Sequence, residues 1–178
     1  VRFYHGSRKI DIPKFDISFS RESFLDFGVG MYFTTSEKQA MLWSIKHSNV
    51  GAVYMIELDT SLLNIKKYLS YSNDFINTFC LCRAGFEDSL KELNTYDAIY
   101  GYVIDNDYEG IVKRTNDYAL GKATAAQVRG GIKVYDDKDQ LCIKKQEILD
   151  KIEIKSVRLT EYVRGYDRND WRAVKWKK

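Results

Sequence analysis

The first residues that could do chemistry lie near the N-terminus, in the run Tyr4-His5-Gly6-Ser7. His5 ends a predicted strand and stands beside a glycine, which lets the chain turn or come close to a ligand. A histidine in that position suits a ligand contact, and Ser7 adds a hydroxyl group that can donate or accept a hydrogen bond. The alternative is a turn histidine that bonds only to the backbone.

A second stretch that could bind a ligand is the glycine-rich run DFGVGMYFTT at residues 26–35. Gly28 and Gly30 allow a backbone to approach a ligand closely. The strand formers that follow include Tyr32 and Thr34, and SEKQ at residues 36–39 has the pattern of a capping box that opens a helix. The pattern predicts a glycine turn, a strand that carries a tyrosine, and a helix. Such turns also precede strands where no ligand binds.

A mixed set of strands and helices must position these two stretches. The hydrophobic pattern predicts strands at residues 2–5, 31–35, 53–58, 98–104, 141–144 and 154–162, and helices at residues 37–47, 72–83, 108–119, 123–128 and 146–151. The two types are mixed without the regular alternation of a doubly wound sheet, which favours an α+β fold. We predict one domain over residues 1–162, followed by a tail at residues 163–178.

The composition is typical of a soluble globular protein, with 44% hydrophobic and 30% charged residues in a chain of 178. No apolar run approaches the length that spans a membrane, and no signal peptide is visible. Cys80, Cys82 and Cys142 have neither metal-binding spacing nor an even count for disulfides, which indicates reduced thiols. The sequence therefore predicts a cytoplasmic protein without a metal site or a membrane partner.

The C-terminal tail is unusually basic and aromatic. Residues 161–178 contain six Lys or Arg against three Asp or Glu, and so account for the whole net charge of +3. The aromatic residues of this segment are Tyr162, Tyr166, Trp171 and Trp176. Basic side chains interleaved with aromatic rings can bind nucleic acid or a partner protein. The simpler interpretation is a solvated last strand and chain end.

Taken in order, these motifs resemble those of ADP-ribosyltransferases of the diphtheria-toxin and poly(ADP-ribose) polymerase branch, the His-Tyr-x branch of that superfamily. The resemblance is strongest to a prokaryotic family within it, long listed as of unknown function. It covers residues 3–149, and four motifs in sequence are more specific than any one alone. Besides the two stretches above, the matching residues are Gln39-Ala40, Tyr96-Asp97, Gly101, Asp105, Asp107 and Asp139-Gln140.

The resemblance implies an ADP-ribosyltransferase-like split β-sheet with flanking helices, which binds NAD⁺ as a substrate in its cleft. His5 would bond a ribose 2′-hydroxyl, Gly6 would offer its backbone to the nicotinamide amide, and Tyr32 would stack on the nicotinamide ring. An aromatic face attracts the cationic pyridinium by about 0.5–2 kcal/mol. The residues expected to bind NAD⁺ are His5, Gly6, Ser7, Arg21, Gly30, Tyr32 and Thr34.

Several of these assignments have alternatives. Arg21 could contact the pyrophosphate bidentately or be a solvated loop charge. Ser7 and Thr34 could bond the ribose or the amide, or serve only the local turn and strand. Asp105 and Asp107 could orient the acceptor or act as its base, or cap the helix that follows them.

The third motif position holds Gln140, where the polymerases have a glutamate that serves chain elongation. A glutamine can hold a hydroxyl group but cannot act as a base or carry negative charge. Gln140 therefore argues against polymer synthesis and for a single transfer, or for slow or absent catalysis. The catalytic residues that the resemblance implies are His5, Tyr32 and Gln140.

The function that the resemblance implies is an NAD⁺-dependent mono-ADP-ribosyltransferase that releases nicotinamide and modifies a macromolecule, whether protein, RNA or DNA. Many prokaryotic relatives are toxins, so we expect the toxin of a toxin–antitoxin or phage-defence system, with an antitoxin protein as a partner. Two alternatives stay open. One is an NAD⁺ glycohydrolase that uses water as the acceptor, and the other is a non-catalytic NAD⁺ or ADP-ribose binding module.

Overall fold

The structure, a computed structural model, describes residues 1–20, 24–104 and 108–178. Its strands are β1 (Arg2–Ser7), β2 (Met31–Phe33), β3 (Val50–Glu57), β4 (Ile65–Lys67), β5 (Ala98–Ile104), β6 (Val134–Ile143), β7 (Ile154–Tyr162) and β8 (Val174–Trp176). Its helices are α1 (Glu37–Ile45), α2 (Asn73–Arg83), α3 (Tyr108–Ala119), α4 (Ala125–Gly130) and α5 (Gln146–Leu149). The strands divide between two sheets, and the predicted α+β fold is confirmed.

The chain forms two compact units. The first unit contains residues 1–15, 32–62 and 147–178, and the second contains residues 16–31 and 63–146. Strand β2 spans the boundary in sequence, because Met31 belongs to the second unit whereas the next two residues belong to the first. Residues 163–178 belong to the first unit, and their distinct role as a tail stays a prediction.

The sheet of the first unit has the strand order β1-β3-β7-β8, and each neighbouring pair is antiparallel. Strand β3 lies inside this sheet, and its residues 51–54 are buried. Helix α1 packs against the sheet and is capped at its start by Ser36, whose side chain accepts a hydrogen bond from the backbone N–H of Gln39. This bond satisfies one of the N–H groups that a helix leaves unpaired at its start.

Two glycines allow helix α1 to lie directly on the strands of the first unit. A Cβ atom at Gly6 would come within 1.8 Å of the carbonyl oxygen of Ala40, and one at Gly51 would come within 2.3 Å of the carbonyl oxygen of Ser44. Both obstacles are helix backbone, which cannot move aside as a flexible side chain can. The identity of Gly6 is therefore required by packing, whatever further role its backbone has.

The C-terminal segment is fixed to the first unit by polar and apolar contacts. Strand β8 pairs with β7, and Ala173 and Val174 pack against Ile45 at the end of α1. The guanidinium group of Arg168 donates hydrogen bonds to the carbonyl oxygens of Ile45 and Ser48, the second at 2.6 Å. It therefore caps the carbonyl end of α1, where a cation is favoured by the helix dipole.

In the second unit, strands β6, β5 and β4 lie side by side in that order. Strand β5 is antiparallel to β6 and parallel to β4. Helix α2 is capped at its start by the side chain of Ser72, which accepts from the backbone N–H of Phe75, and the helix buries one apolar face. The sequence predicted only residues 141–144 of β6, which in fact begins at Val134. The earlier residues, YDDKD, are too polar to show strand-like alternation.

No helix in the described part of the chain is long and apolar enough to cross a membrane. Cys80, Cys82 and Cys142 are buried, and none of them forms a disulfide with another residue that the structure describes. Burial raises the pKa of Cys80 and of Cys82 to about 12, so both thiols stay protonated at neutral pH. Within residues 1–20, 24–104 and 108–178, no group of three or more His, Cys, Asp or Glu residues is placed to hold a metal ion.

Candidate functional site

The first unit brings together two of the predicted catalytic residues, His5 and Tyr32. The Nδ1 atom of His5 lies 2.8 Å from the backbone carbonyl oxygen of Tyr32. Beside this contact, the backbones of Tyr4 and Thr34 exchange two hydrogen bonds of 2.8 and 2.9 Å, which hold the end of β2 beside β1. The backbone pairing therefore sets the distance between the imidazole of His5 and Tyr32.

Aromatic rings surround the imidazole of His5. Its ring centroid lies 5.6 Å from that of Phe15, 5.8 Å from that of Phe33 and 6.3 Å from that of Tyr54. These apolar neighbours disfavour the charged form of the ring, and burial lowers the pKa of His5 to about 4 although the hydrogen bond to Tyr32 acts in the opposite direction. His5 is therefore neutral at physiological pH.

The hydrogen bond also fixes the tautomer of His5. A carbonyl oxygen can only accept, so Nδ1 must be the protonated nitrogen that donates to Tyr32. In a neutral imidazole the other nitrogen, Nε2, then has a lone pair and is an acceptor. The site consequently presents an uncharged group that can accept a hydrogen bond from a hydroxyl group.

The remaining predicted ligand residues of the first unit serve local structure as well. Thr34 is fully buried, and its hydroxyl oxygen accepts from the backbone N–H of Ser36. The hydroxyl oxygen of Ser7 accepts from the backbone N–H of Lys9 at 3.1 Å. Gly6 faces helix α1, on the side of β1 opposite to His5, because successive residues of a strand alternate. Roles for these three residues in binding NAD⁺ stay predictions.

Tyr54 is a residue of this site that sequence reasoning missed. It lies opposite His5 in the register of β1 and β3 and is fully buried. Its hydroxyl group donates to the carbonyl oxygen of Lys9 at 2.9 Å and accepts from the N–H of Ile12 at 3.0 Å. Tyr54 thus packs on His5 and anchors the loop that follows β1. In the sequence, Tyr54 is only one of several apolar residues in a predicted strand, and no motif distinguishes it as a site residue.

In the second unit, Gln140 lies in a buried polar network. Its Nε2 atom is 2.7 Å from Oδ2 of Asp26 and 3.0 Å from the carbonyl oxygen of Tyr102. The other carboxylate oxygen of Asp26, Oδ1, accepts from Nε of Arg83 at 2.6 Å. Asp26 is 8% exposed and Gln140 is 4% exposed. The ion pair with Arg83 compensates a carboxylate that would otherwise be costly to bury.

This network settles the orientation of the Gln140 amide. Both groups that face Nε2, the carboxylate of Asp26 and the carbonyl of Tyr102, are acceptors. The amide nitrogen must therefore lie on their side, and Oε1 is turned away from both. No residue that the structure describes donates a hydrogen bond to Oε1. The third motif position thus presents a neutral hydrogen-bond acceptor.

A second, partly buried ion pair holds the glycine turn of the same unit. The carboxylate of Glu87 accepts from the N–H of Val29 at 2.8 Å and from Nζ of Lys144 at 2.6 Å. Gly28 has a φ of +74°, and a Cβ atom there would come within 2.0 Å of the Glu87 carboxyl carbon. A Cβ atom at Gly30 would lie 2.4 Å from the sulfur of Cys142. Both glycines are therefore required by this turn and its packing.

Three predicted site residues lie outside the described residues. They are Arg21, for which contact with the pyrophosphate was expected, and Asp105 and Asp107, which were placed on the acceptor side. Their roles stay predictions. Gly30 and Gln140 belong to the second unit, whereas His5, Gly6, Ser7, Tyr32 and Thr34 belong to the first.

Residues 1–154 match the model of a protein family described as "Protein of unknown function (DUF3990)". Because this match covers most of the chain, the chain belongs to that family. The match agrees with the expectation of a family of unknown function, while the wider ADP-ribosyltransferase superfamily stays a proposal. No curated protein matches the chain, and no solved structure matches it.

Proposed function

We propose that this member of the DUF3990 family is an NAD⁺-dependent mono-ADP-ribosyltransferase. The observation that supports it most directly is the state of His5, which is neutral, held by Tyr32 and ready to accept a hydrogen bond through Nε2. In the proposed reaction the bond between ribose C1′ and the nicotinamide nitrogen breaks, and nicotinamide leaves with the bonding electron pair. A bond from C1′ to the acceptor forms, and the acceptor loses its proton.

A neutral histidine suits this substrate better than a charged one. NAD⁺ has a cationic nicotinamide ring, and an imidazolium beside it would repel that charge. With Nδ1 occupied by the carbonyl of Tyr32, Nε2 of His5 can accept the proton of a ribose hydroxyl group as a hydrogen bond. The side chain of Tyr32 is partly exposed and supplies the aromatic face for the cationic ring.

The chemistry demands little acid–base catalysis from the protein. Nicotinamide is a neutral leaving group, and the transition state resembles the oxocarbenium ion of glycoside hydrolysis. The main task is to hold the ribose and the acceptor in a reactive geometry. We assign Gln140 the role of a neutral acceptor for a substrate hydroxyl group, which fits one transfer rather than chain elongation.

Nicotinamide release from the purified chain tests the proposal. With NAD⁺ that is labelled in its adenosine half, we expect labelled ADP-ribose to become attached to a component of a cell lysate, with release of nicotinamide. Treatment of separate samples with protease, RNase and DNase then identifies the class of acceptor. No nicotinamide release together with NAD⁺ or ADP-ribose binding would contradict the transferase and favour the binding module. Release without attached label would instead favour the NAD⁺ glycohydrolase.

The proposed biological role is that of a toxin in a toxin–antitoxin or phage-defence system, acting in the cytoplasm on a macromolecule. Buried cysteine thiols that form no disulfide within the described residues suit a reducing compartment. A toxic transferase also requires an inhibitor in its own cell, and we propose an antitoxin protein as that partner. Growth arrest on expression of the parent chain, but not of a chain with His5→Phe, is the expected result in cells that lack the antitoxin.

A further inference from the structure

We propose that Asp26 is a positioning residue that holds the side-chain amide of Gln140 in one orientation, with Oε1 presented to the substrate as an acceptor. The proposal rests on the proposed function for the identity of the substrate, NAD⁺. The orientation itself is a property of the second unit alone. Asp26 lies in the glycine-rich motif, but the resemblance gives it no role.

Asp26 connects three elements of the second unit through its two carboxylate oxygens. It lies in the loop before the glycine turn, Arg83 lies in the last turn of α2, and Gln140 lies on β6. One oxygen accepts from Arg83 at 2.6 Å and the other accepts from Gln140 at 2.7 Å. The position therefore requires two acceptors on one short side chain, which only an aspartate supplies.

Neighbouring packing restricts the network further. Gln140 pairs with Gly101 in the register of β5 and β6, and a Cβ atom at Gly101 would come within 2.8 Å of the ring of Phe27. The ring of Phe27, which follows Asp26 in the chain, thus occupies the space that a larger residue at position 101 would need. Because Phe27 is fully buried, its packing restricts the backbone beside Asp26 and so limits the freedom of the carboxylate to leave Gln140.

Replacing Asp26 by asparagine removes one of the two acceptors. The remaining side-chain oxygen is expected to stay with the charged guanidinium of Arg83, because hydrogen bonds to ions are the stronger ones. The new NH₂ group then faces Nε2 of Gln140. Because both groups are donors, no hydrogen bond can form between them. Gln140 can relieve this conflict only by turning its amide over, which places Nε2 where Oε1 was and brings Oε1 towards the carbonyl of Tyr102.

A double-mutant cycle on turnover tests the positioning role. We expect Asp26→Asn and Gln140→Ala each to lower kcat/KM for nicotinamide release from several-fold to about tenfold, the value of one neutral hydrogen bond. If Asp26 acts through Gln140, adding Asp26→Asn to Gln140→Ala causes no further loss. Losses that multiply in the double variant would overturn the proposal.

A control variant separates positioning from stability. Thr78 is fully buried in the same unit, and its hydroxyl group lies 2.6 Å from that of Tyr68. Thr78→Val removes this buried hydrogen bond with little change of shape. We expect a lower melting temperature with the kcat/KM of the parent chain. An equal loss of kcat/KM in Thr78→Val would assign the effect of Asp26→Asn to stability, and the proposal would fail.

A second measurement needs no turnover. The two Nε2 protons of Gln140, identified by their loss in Gln140→Ala, are expected to exchange slowly with solvent in nuclear magnetic resonance spectra of the parent chain, and faster in Asp26→Asn. Fast exchange in the parent chain, or no change in Asp26→Asn, would overturn the positioning role. If the parent chain releases no nicotinamide, the proposed function fails while this measurement still decides the orientation of Gln140.

Discussion

The Nδ1–H group of His5 donates to the backbone carbonyl of Tyr32 over 2.8 Å, which makes the imidazole orientation depend on the backbone of β2 and not on a side chain. Substitutions at position 32 can therefore remove the aromatic ring without removing the partner of His5. The two residues, which the resemblance assigns to one cofactor, can be tested separately for this reason.

The first prediction concerns substitutions of His5 and Tyr32. His5→Phe keeps an aromatic ring against Phe15, Phe33 and Tyr54 but lacks Nε2, so we expect nicotinamide release to be lost with little change in melting temperature. Tyr32→Ala should weaken NAD⁺ binding by removing the ring that stacks on the cation, a loss of about 0.5–2 kcal/mol.

His5→Ala is the informative contrast, because it leaves a cavity among those rings and should lower the free energy of unfolding by a few kcal/mol. Calorimetric titration with NAD⁺ and thermal unfolding of the three variants measure both effects. Full activity in His5→Phe would show that His5 is only a packing residue.

The second prediction concerns pH. The pKa of His5 is about 4 in the folded chain, against the ordinary histidine pKa of 6.5 in the unfolded chain. Between these values the unfolded chain binds more protons, so the free energy of unfolding rises with pH. The contribution of His5 to the free energy of unfolding is fully present above pH 6.5 and is lost as the pH falls through about 4. It amounts to roughly 3 kcal/mol.

Urea unfolding at several pH values between about 4 and 7 checks this dependence. His5→Phe removes the titrating group and keeps the ring packing, so the variant should lose that part of the pH dependence. His47 is the other histidine of the sequence and is exposed, and His47→Gln is therefore the matched control. An identical pH dependence in the parent chain and in His5→Phe would contradict a neutral His5 in the folded chain.

The third prediction concerns the glycines under α1. Alanine at position 6 or 51 would place a Cβ atom 1.8 or 2.3 Å from a carbonyl oxygen of the helix, so both substitutions should displace α1. We expect each to lower the melting temperature strongly or to prevent folding. The resemblance gives a ligand role to Gly6 and none to Gly51. Similar damage from both would show that packing determines the two glycines, whereas a stable Gly6→Ala chain would contradict the packing argument.

Sequence patterns predicted the longer elements of the fold because their local signals were strong. Ser36 caps the helix that the pattern placed after it, and Ser72, predicted as the first residue of the second helix, is the cap of that helix. Strands β4 and β8 were not predicted as separate elements, because three residues are too few to show alternation. Each of them is a strand only through its pairing with β5 or β7, which lie elsewhere in the sequence.

The candidate site was predictable in its residue types but not in their states. His5 and Gln140 were identified from motifs, yet the lowered pKa of His5 arises from rings at positions 15, 33 and 54, which only the folded chain brings together. Likewise, the orientation of the Gln140 amide depends on Asp26, which is 114 residues away. Contacts over such separations leave no periodic signal in one sequence.

The fourth prediction concerns Gln140→Glu, which restores the residue type of the polymerases. A carboxylate there would face that of Asp26, where the amide nitrogen now lies at 2.7 Å, with no donor between them. Two adjacent carboxylates raise the pKa of one of them. The folded variant then binds more protons than the unfolded chain, so its stability should fall as the pH rises towards neutrality and recover in acid.

Gln140→Met is the matched control, because it also removes the hydrogen bonds but adds no charge. Its stability deficit relative to the parent chain should not depend on pH. Unfolding in urea at pH values from about 4.5 to 7.5 compares the two variants. If Gln140→Glu is as stable as the parent chain at neutral pH, the side chain of residue 140 does not face the carboxylate of Asp26.

The last prediction concerns the C-terminal segment. Deleting the residues after Tyr162 would remove β8, expose Ile45 and take away Arg168, whose guanidinium group also lies 4.0 Å from the ring of Tyr162. We therefore expect the deletion to destabilise the first unit, so that lost activity in the deleted chain would not identify a binding surface. Arg168→Ala should likewise lower the melting temperature.

Trp171 is the better probe of nucleic-acid binding, because it is 59% exposed and has Nζ of Lys38 4.5 Å from its ring. If the segment binds a single strand, Trp171→Ala should cost about 1–3 kcal/mol of binding through lost stacking. Replacing Lys177 and Lys178 by alanine should make binding less dependent on salt, since each lost phosphate contact changes the slope by about 0.7. Both variants should keep the melting temperature and the nicotinamide release of the parent chain. If binding to a labelled oligonucleotide depends neither on salt nor on these substitutions, the C-terminal segment does not bind nucleic acid. A protein partner would then be the alternative for this segment.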